Sequence, residues 1–135
     1  MQKLYIPASD VTPEILFSPE EKIFRIKGIS RPENVREIYE PVVKWLSGYS
    51  SILSNDRTLY DEDNPFMLHF DLDYFNSSTA KFIYDIIMII KLIRGGGTPT
   101  AIAWYYHPDD TDCLEAGEDM AEMAEMDFVY IKKQE

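Results

Sequence analysis

Apolar and polar residues alternate from Phe66 to Tyr74, and a strongly apolar stretch then runs from Ala80 to Ile93. In an extended chain the alternation puts Leu68, Phe70, Leu72 and Tyr74 on one face and Met67, His69, Asp71 and Asp73 on the other. Between the two patterns stand Asn76, Ser77, Ser78 and Thr79. These residue types accept hydrogen bonds from the free N–H groups of a helix's first turn. A helix over 78–94 is expected to follow, with Lys81 and Asp85 marking its wet side, and Gly95-Gly96-Gly97 ends it. A strand therefore hands over to a capped, buried helix at a cluster of hydroxyls.

Upstream, Leu4-Tyr5-Ile6 is a short strand stopped by Pro7, and Glu14-Ile15-Leu16-Phe17 is a second. After the turn-like Ser18-Pro19-Glu20-Glu21, Ile23, Arg25 and Lys27 alternate with Phe24 and Ile26 up to Gly28, which predicts a hairpin. Ser30 with Glu33 fits a capping box, and Pro32 suits a first turn, so a helix is expected from about Pro32 to Leu53. Its apolar face reads Val35, Ile38, Tyr39, Val42, Leu46, Tyr49 and Leu53, at steps of three and four. Pro41 inside it removes one backbone hydrogen bond and predicts a kink. Residues 54–65, SNDRTLYDEDNP, lack periodicity and read as an exposed, mobile connection.

Downstream, Pro99 to Tyr106 predicts another strand. Asp109-Asp110-Thr111-Asp112 opens a last helix with Leu114, Gly117, Met120, Ala121 and Ala124 facing in, and Phe128 to Ile131 closes the chain as a strand. A strand buried on both faces would be apolar throughout. The 66–74 run is not, so the helices should lie mostly on one side of the sheet. The expected fold is α/β: a single two-layer domain over 1–135, with a mixed sheet and about three helices.

Composition narrows the class of function. A chain of 135 residues with 45% hydrophobic content can bury a core without covalent staples. One cysteine, Cys113, allows no intrachain disulfide and points to a reducing compartment. The opening MQKLYIPASD lacks the apolar segment of a secretory signal. The stretch Phe82 to Ile93 carries Asp85 and Lys91 and falls short of the ~20 residues of a membrane span. A cytoplasmic protein without membrane insertion is expected. The net charge of −11 is concentrated in residues 107–127, which hold nine acids and no Lys or Arg. With no basic stripe, nucleic acid is a poor partner and other proteins are better ones.

The hydroxyl cluster is the first candidate for chemistry. One cap needs one side chain, whereas Asn76, Ser77, Ser78 and Thr79 offer several. A phosphate there would bring roughly −1.5 to −2 charges to the positive end of a helix, with Lys81 one turn in. Asp71-Leu72-Asp73 at a strand end suggests a second reading, a small Mg-dependent phosphohydrolase using Asp71 and Asp73. Such enzymes want Thr or Val two residues after the second Asp, and Phe75 stands there. The acids of 107–127 lack the spacing of a calcium loop and read as a solvated face, usable by an acidic interaction scaffold. His69, His107 and Cys113 are not in ligand spacing, so no metal and no cofactor is expected.

Several longer strings resemble the SiaC family of bacterial regulatory phosphoproteins. They are LYIPASDVTPEILF at 4–17, PEN at 32–34, YEPVVKWL at 39–46, LDYFNSSTAK at 72–81, WYYHPDD at 104–110 and LEAGEDMAE at 114–122. The resemblance implies a STAS-like fold, similar to anti-sigma-factor antagonists, and no catalytic residues. It implies that Ser77, the first hydroxyl after Asn76, is phosphorylated by a Ser/Thr kinase and restored by a PP2C-type phosphatase. It further implies that the unmodified protein activates a diguanylate cyclase, raising cyclic di-GMP and favouring biofilm or aggregation. Asn76, Ser78, Thr79 and Lys81 would then form the setting of the phosphosite and part of the partner surface. Ser77 replaces the family's usual threonine, and Arg31 stands where a tyrosine often precedes PEN.

Overall fold

A computed structural model describes residues 1–134. Its elements in chain order are β1 (Leu4–Ile6), β2 (Glu14–Ser18), β3 (Ile23–Ser30), α1 (Val35–Asn55), β4 (Phe66–Phe75), α2 (Ser77–Gly95), β5 (Thr100–Tyr106), α3 (Thr111–Ala124) and β6 (Val129–Lys132). The strands form one mixed sheet whose spatial order repeats their chain order. β1, β2 and β3 pair antiparallel, while β3 to β6 pair parallel. Each parallel step needs a helical crossover, and crossovers are right-handed. Because every step moves the same way along the sheet, all three helices land on one face.

That face is the core. Ile15 and Phe17 of β2, Phe24 and Ile26 of β3, Phe66 to Leu72 on alternate positions of β4, and Ile102 and Trp104 of β5 are all buried. They meet Tyr39, Val42 and Leu46 of α1 and five isoleucines of α2, Ile83, Ile86, Ile87, Ile90 and Ile93. Tyr49 and Leu53 of α1 are buried as well, and since burying each such side chain is worth about 1.5–3 kcal/mol, α1 and α2 carry the helical layer together. The opposite face carries no helix. Arg25 there holds Glu14 at 2.8 Å, and Lys27 lies between Glu14 on β2 and Asp71 on β4. Opposite charges on neighbouring strands keep this face compatible with water.

Three expectations need correction. Ser30 does not cap a helix: it ends β3, and α1 starts later, with the Asn34 side chain accepting from Glu37 N. Pairing of β3 with β4 extends to Ser30↔Phe75 and claims the residue that local pattern assigned to a helix. Tyr74 does not share the buried face of β4, being 53% exposed. The register shifts between Gly28, at φ +119°, and Ile29, and one more residue enters β4. Phe75 takes the inward place and meets Trp104 edge-on at 5.9 Å. Residues 54–65 are not loose throughout: Tyr60 is buried with its hydroxyl 2.7 Å from that of Tyr49, and Lys22 Nζ donates to Leu59 O at 2.7 Å. Among the described residues, no helix is long and apolar enough to cross a membrane.

Candidate functional site

Parallel strands on one side of the chain's crossovers bring the ends of β3, β4 and β5 to one edge, together with the starts of α1, α2 and α3. The hydroxyl cluster lies at the centre of this edge. Asn76 is the N-cap of α2, in an extended conformation (φ −90°, ψ 176°). Its Oδ1 accepts from Thr79 N at 2.9 Å and from the Ser78 hydroxyl at 2.9 Å, while its own N–H donates to Ser30 O at 3.1 Å. The cap therefore joins the helix and the sheet.

Under the cap lies a buried hydroxyl chain. Thr79 Oγ1 and Tyr39 OH each stand 2.8 Å from Ser30 Oγ, and all three residues are fully buried. Burial pushes the Tyr39 phenol up to about 12, against the opposing hydrogen bonds of Ser30 and Thr79. Thr79 is thus committed to structure. Ser77 and Ser78 are exposed, as is Lys81 one turn on. Ser78 is tied to Asn76, whereas the Ser77 hydroxyl has no hydrogen-bond partner among the described residues. Sequence reasoning placed Asn76, Ser78 and Thr79 together and missed Ser30 and Tyr39. Nothing local marks those two, since β3 and α1 reach α2 only through tertiary pairing.

The carboxylates of β4 are held from the opposite end of the chain. Lys133 Nζ lies 2.6 Å from Asp71 and 2.9 Å from Asp73, and His107 Nε2 lies 2.7 Å from Asp73. Burial works against charge on Asp73, but hydrogen bonds from Lys133 and His107 prevail and hold its carboxyl below the usual value. Lys133 is likewise opposed by burial and raised by Asp71 and Asp73. His69 Nδ1 sits 2.8 Å from Tyr105 OH, and burial leads in lowering its affinity for a proton. The Cys113 thiol is pushed up by burial and then by Asp110. It is a poor nucleophile in that state.

The acids of residues 107–127 are exposed except for Asp110, which is half-buried. Asp110 caps α3, accepting from Cys113 N at 3.0 Å, and Asp112 follows in its first turn. Both border a groove of about 280 Å³ against Asp73, Tyr74 and Phe75 of β4. The rest of α3's acids, Glu115, Glu118, Asp119 and Glu122, are exposed as expected. Among the described residues, no three His, Cys, Asp or Glu side chains gather closely enough to hold a metal ion. The edge offers an exposed hydroxyl that can accept a group.

The model of the SiaC family of regulatory phosphoproteins matches residues 6–133. The chain belongs to the SiaC family. An uncharacterised protein of Pseudomonas aeruginosa (strain UCBPP-PA14) is 28% identical over 128 residues, 95% of this chain and 94% of its own length. The crystal structure of apo-SiaC from Pseudomonas aeruginosa is 26% identical and superposes with a TM-score of 0.77, covering 99% of this chain and 100% of that one. The crystal structure of the diguanylate cyclase SiaD in complex with its activator SiaC, from the same organism, matches with a TM-score of 0.81 at 25% identity. That match covers 96% of this chain and 99% of the other. The mixed six-stranded sheet with three helices is thus a SiaC-family fold.

Proposed function

We propose that this SiaC-family protein is a non-enzymatic, STAS-like switch that controls a diguanylate cyclase in the cytoplasm and is reset by reversible phosphorylation of Ser77. The observation that carries the choice of acceptor is the state of the three hydroxyls of the corner. Thr79 is buried and bonded, Ser78 is bonded to Asn76, and Ser77 is exposed with its hydroxyl uncommitted. A phosphate on Ser77 would meet the amide end of α2, where the dipole favours an anion. Lys81 is exposed one turn away and adds a cation. A Ser/Thr kinase would write the mark and a PP2C-type phosphatase would remove it. Control of a cyclase is supported by the relative in which SiaC is the activator of SiaD. The phosphohydrolase reading loses support because Lys133 pairs with both Asp71 and Asp73.

The test is incubation with the cognate kinase followed by peptide mass spectrometry. Phosphate is expected on Ser77 and absent from the Ser77→Ala protein. Undiminished labelling of that variant would refute the assignment. Ser77→Asp is expected to lose cyclase binding while melting within a few degrees of the unmodified protein, because an exposed first-turn acid costs the fold little.

A further inference from the structure

The groove between the end of β4 and the start of α3 belongs to neither the buried hydroxyl chain nor the acceptor. Its floor is apolar, built from Leu72, Phe75 and Ala116. Tyr74 also lines it and is 53% exposed, standing just past the register shift between β3 and β4. Three carboxylates, Asp73, Asp110 and Asp112, stand at its border. We propose that this groove receives an arginine side chain of a partner protein. The inference deepens the reading of the protein as a binding switch and rests on it for the partner's identity.

Each part of the lining fits a guanidinium better than another group. A volume of about 280 Å³ suits one long side chain and is small for a cofactor. An arginine stem lies against an apolar floor while its planar head stacks on an aromatic face and pairs with a carboxylate at its edge. Charge favours the same occupant. Asp73 shares Lys133 with Asp71, and Asp110 spends one oxygen on its cap, but Asp112 has no hydrogen bond or ion pair among the described residues. Lys133 and His107 already engage Asp73, and the start of α3 opposes a cation with about half a charge, which the carboxylates of Asp110 and Asp112 outweigh. A lysine would lose the stacking and the planar fit to a carboxylate. Tyr74 lies three residues before Ser77, so the groove adjoins the proposed acceptor.

The experiment is an amide NMR titration of the full chain with three blocked tripeptides, Gly-Arg-Gly, Gly-Lys-Gly and Gly-citrulline-Gly. Arginine is expected to perturb residues 73–75 and 112–116 and to bind several-fold more tightly than lysine, with no localised binding of citrulline. Tyr74→Ala and Asp112→Asn should each weaken the arginine peptide by about three- to ten-fold, whereas Tyr74→Phe keeps it. Arginine shifts scattered along the α3 acids, or unchanged by Tyr74→Ala, would overturn the site. Asp112→Asn should also weaken binding of the cyclase. Arginine capture alongside unchanged cyclase binding would overturn the assignment of the groove to that partner and leave the Ser77 switch standing. A Ser77→Asp protein that still binds the cyclase would defeat the switch and leave the arginine site intact.

Discussion

The hydroxyl of Thr79 would look like a phosphate acceptor by type, yet it is spent holding Ser30, which in turn holds Tyr39. Replacing Thr79 by Val keeps the shape and leaves a buried hydrogen-bonding position unfilled, so urea denaturation should show a loss of about 1–3 kcal/mol. Kinase labelling of Ser77 should be unchanged in that variant. Tyr39 gives the same network a pH signature. Its folded-state value is raised from the ordinary 10.0 to about 12, so the neutral phenol is favoured by folding. The stabilisation is fully present below the unfolded value and is lost as pH rises through the folded one. Tyr49 and Tyr60 are raised too, each chiefly by burial. Unfolding by base, followed by tyrosinate absorbance, should therefore be steep above the ordinary tyrosine value, and Tyr39→Phe should make it shallower.

Among the elements, α2 depends on its cap more than its apolar length suggests. Asn76 closes both the helix and the last step of the β3–β4 ladder. Asn76→Ala should cost ~1 kcal/mol in a thermal or urea melt, the usual worth of an N-cap. A Ser at the same place should recover most of it. The α3 helix is set by a close approach instead. A Cβ on Gly117 would stand 2.5 Å from Trp104 Nε1 and 2.6 Å from Cδ1. Trp104 is fully buried and donates to Cys113 O at 3.0 Å, so it has little freedom to retreat. Gly117→Ala should cost about 1–3 kcal/mol by overpacking, even though alanine is the better helix former. A melting temperature at or above wild type would show that α3 can slide. Sliding would also reshape the groove bounded by Asp112 and Ala116.

Over the whole molecule, Lys133 ties the last strand to the middle of the sheet by bridging Asp71 and Asp73. Lys133→Met would leave two neighbouring carboxylates and no cation between them. The depressed Asp73 value means that its contribution is present above the ordinary carboxyl value of 3.8 and is lost as pH falls through the folded-state value. The raised Lys133 value means that its own contribution is present below 10.5 and is lost as pH rises beyond it. The stability gap between wild type and Lys133→Met should thus be widest between those limits and close towards strong acid. A gap of equal size at all pH values would assign Lys133 a packing role alone. Much of this architecture was legible along the chain. Six strands, three helices and their one-sided packing follow from periods of two and of three to four, which report local geometry and burial. The same patterns misread Ser30 as a cap and Tyr74 as core, because both depend on how β3 and β4 pair beyond Gly28. A capping cluster at 76–79 and the placing of Asp71 and Asp73 on the face away from the core were determined by sequence alone, while the choice of Asn76 as the cap was not. Which hydroxyl remains free, which carboxylates Lys133 neutralises, and which acids meet across a groove were decided only by the tertiary structure. Those facts depend on segments far apart in the chain, whose register and approach no local pattern encodes.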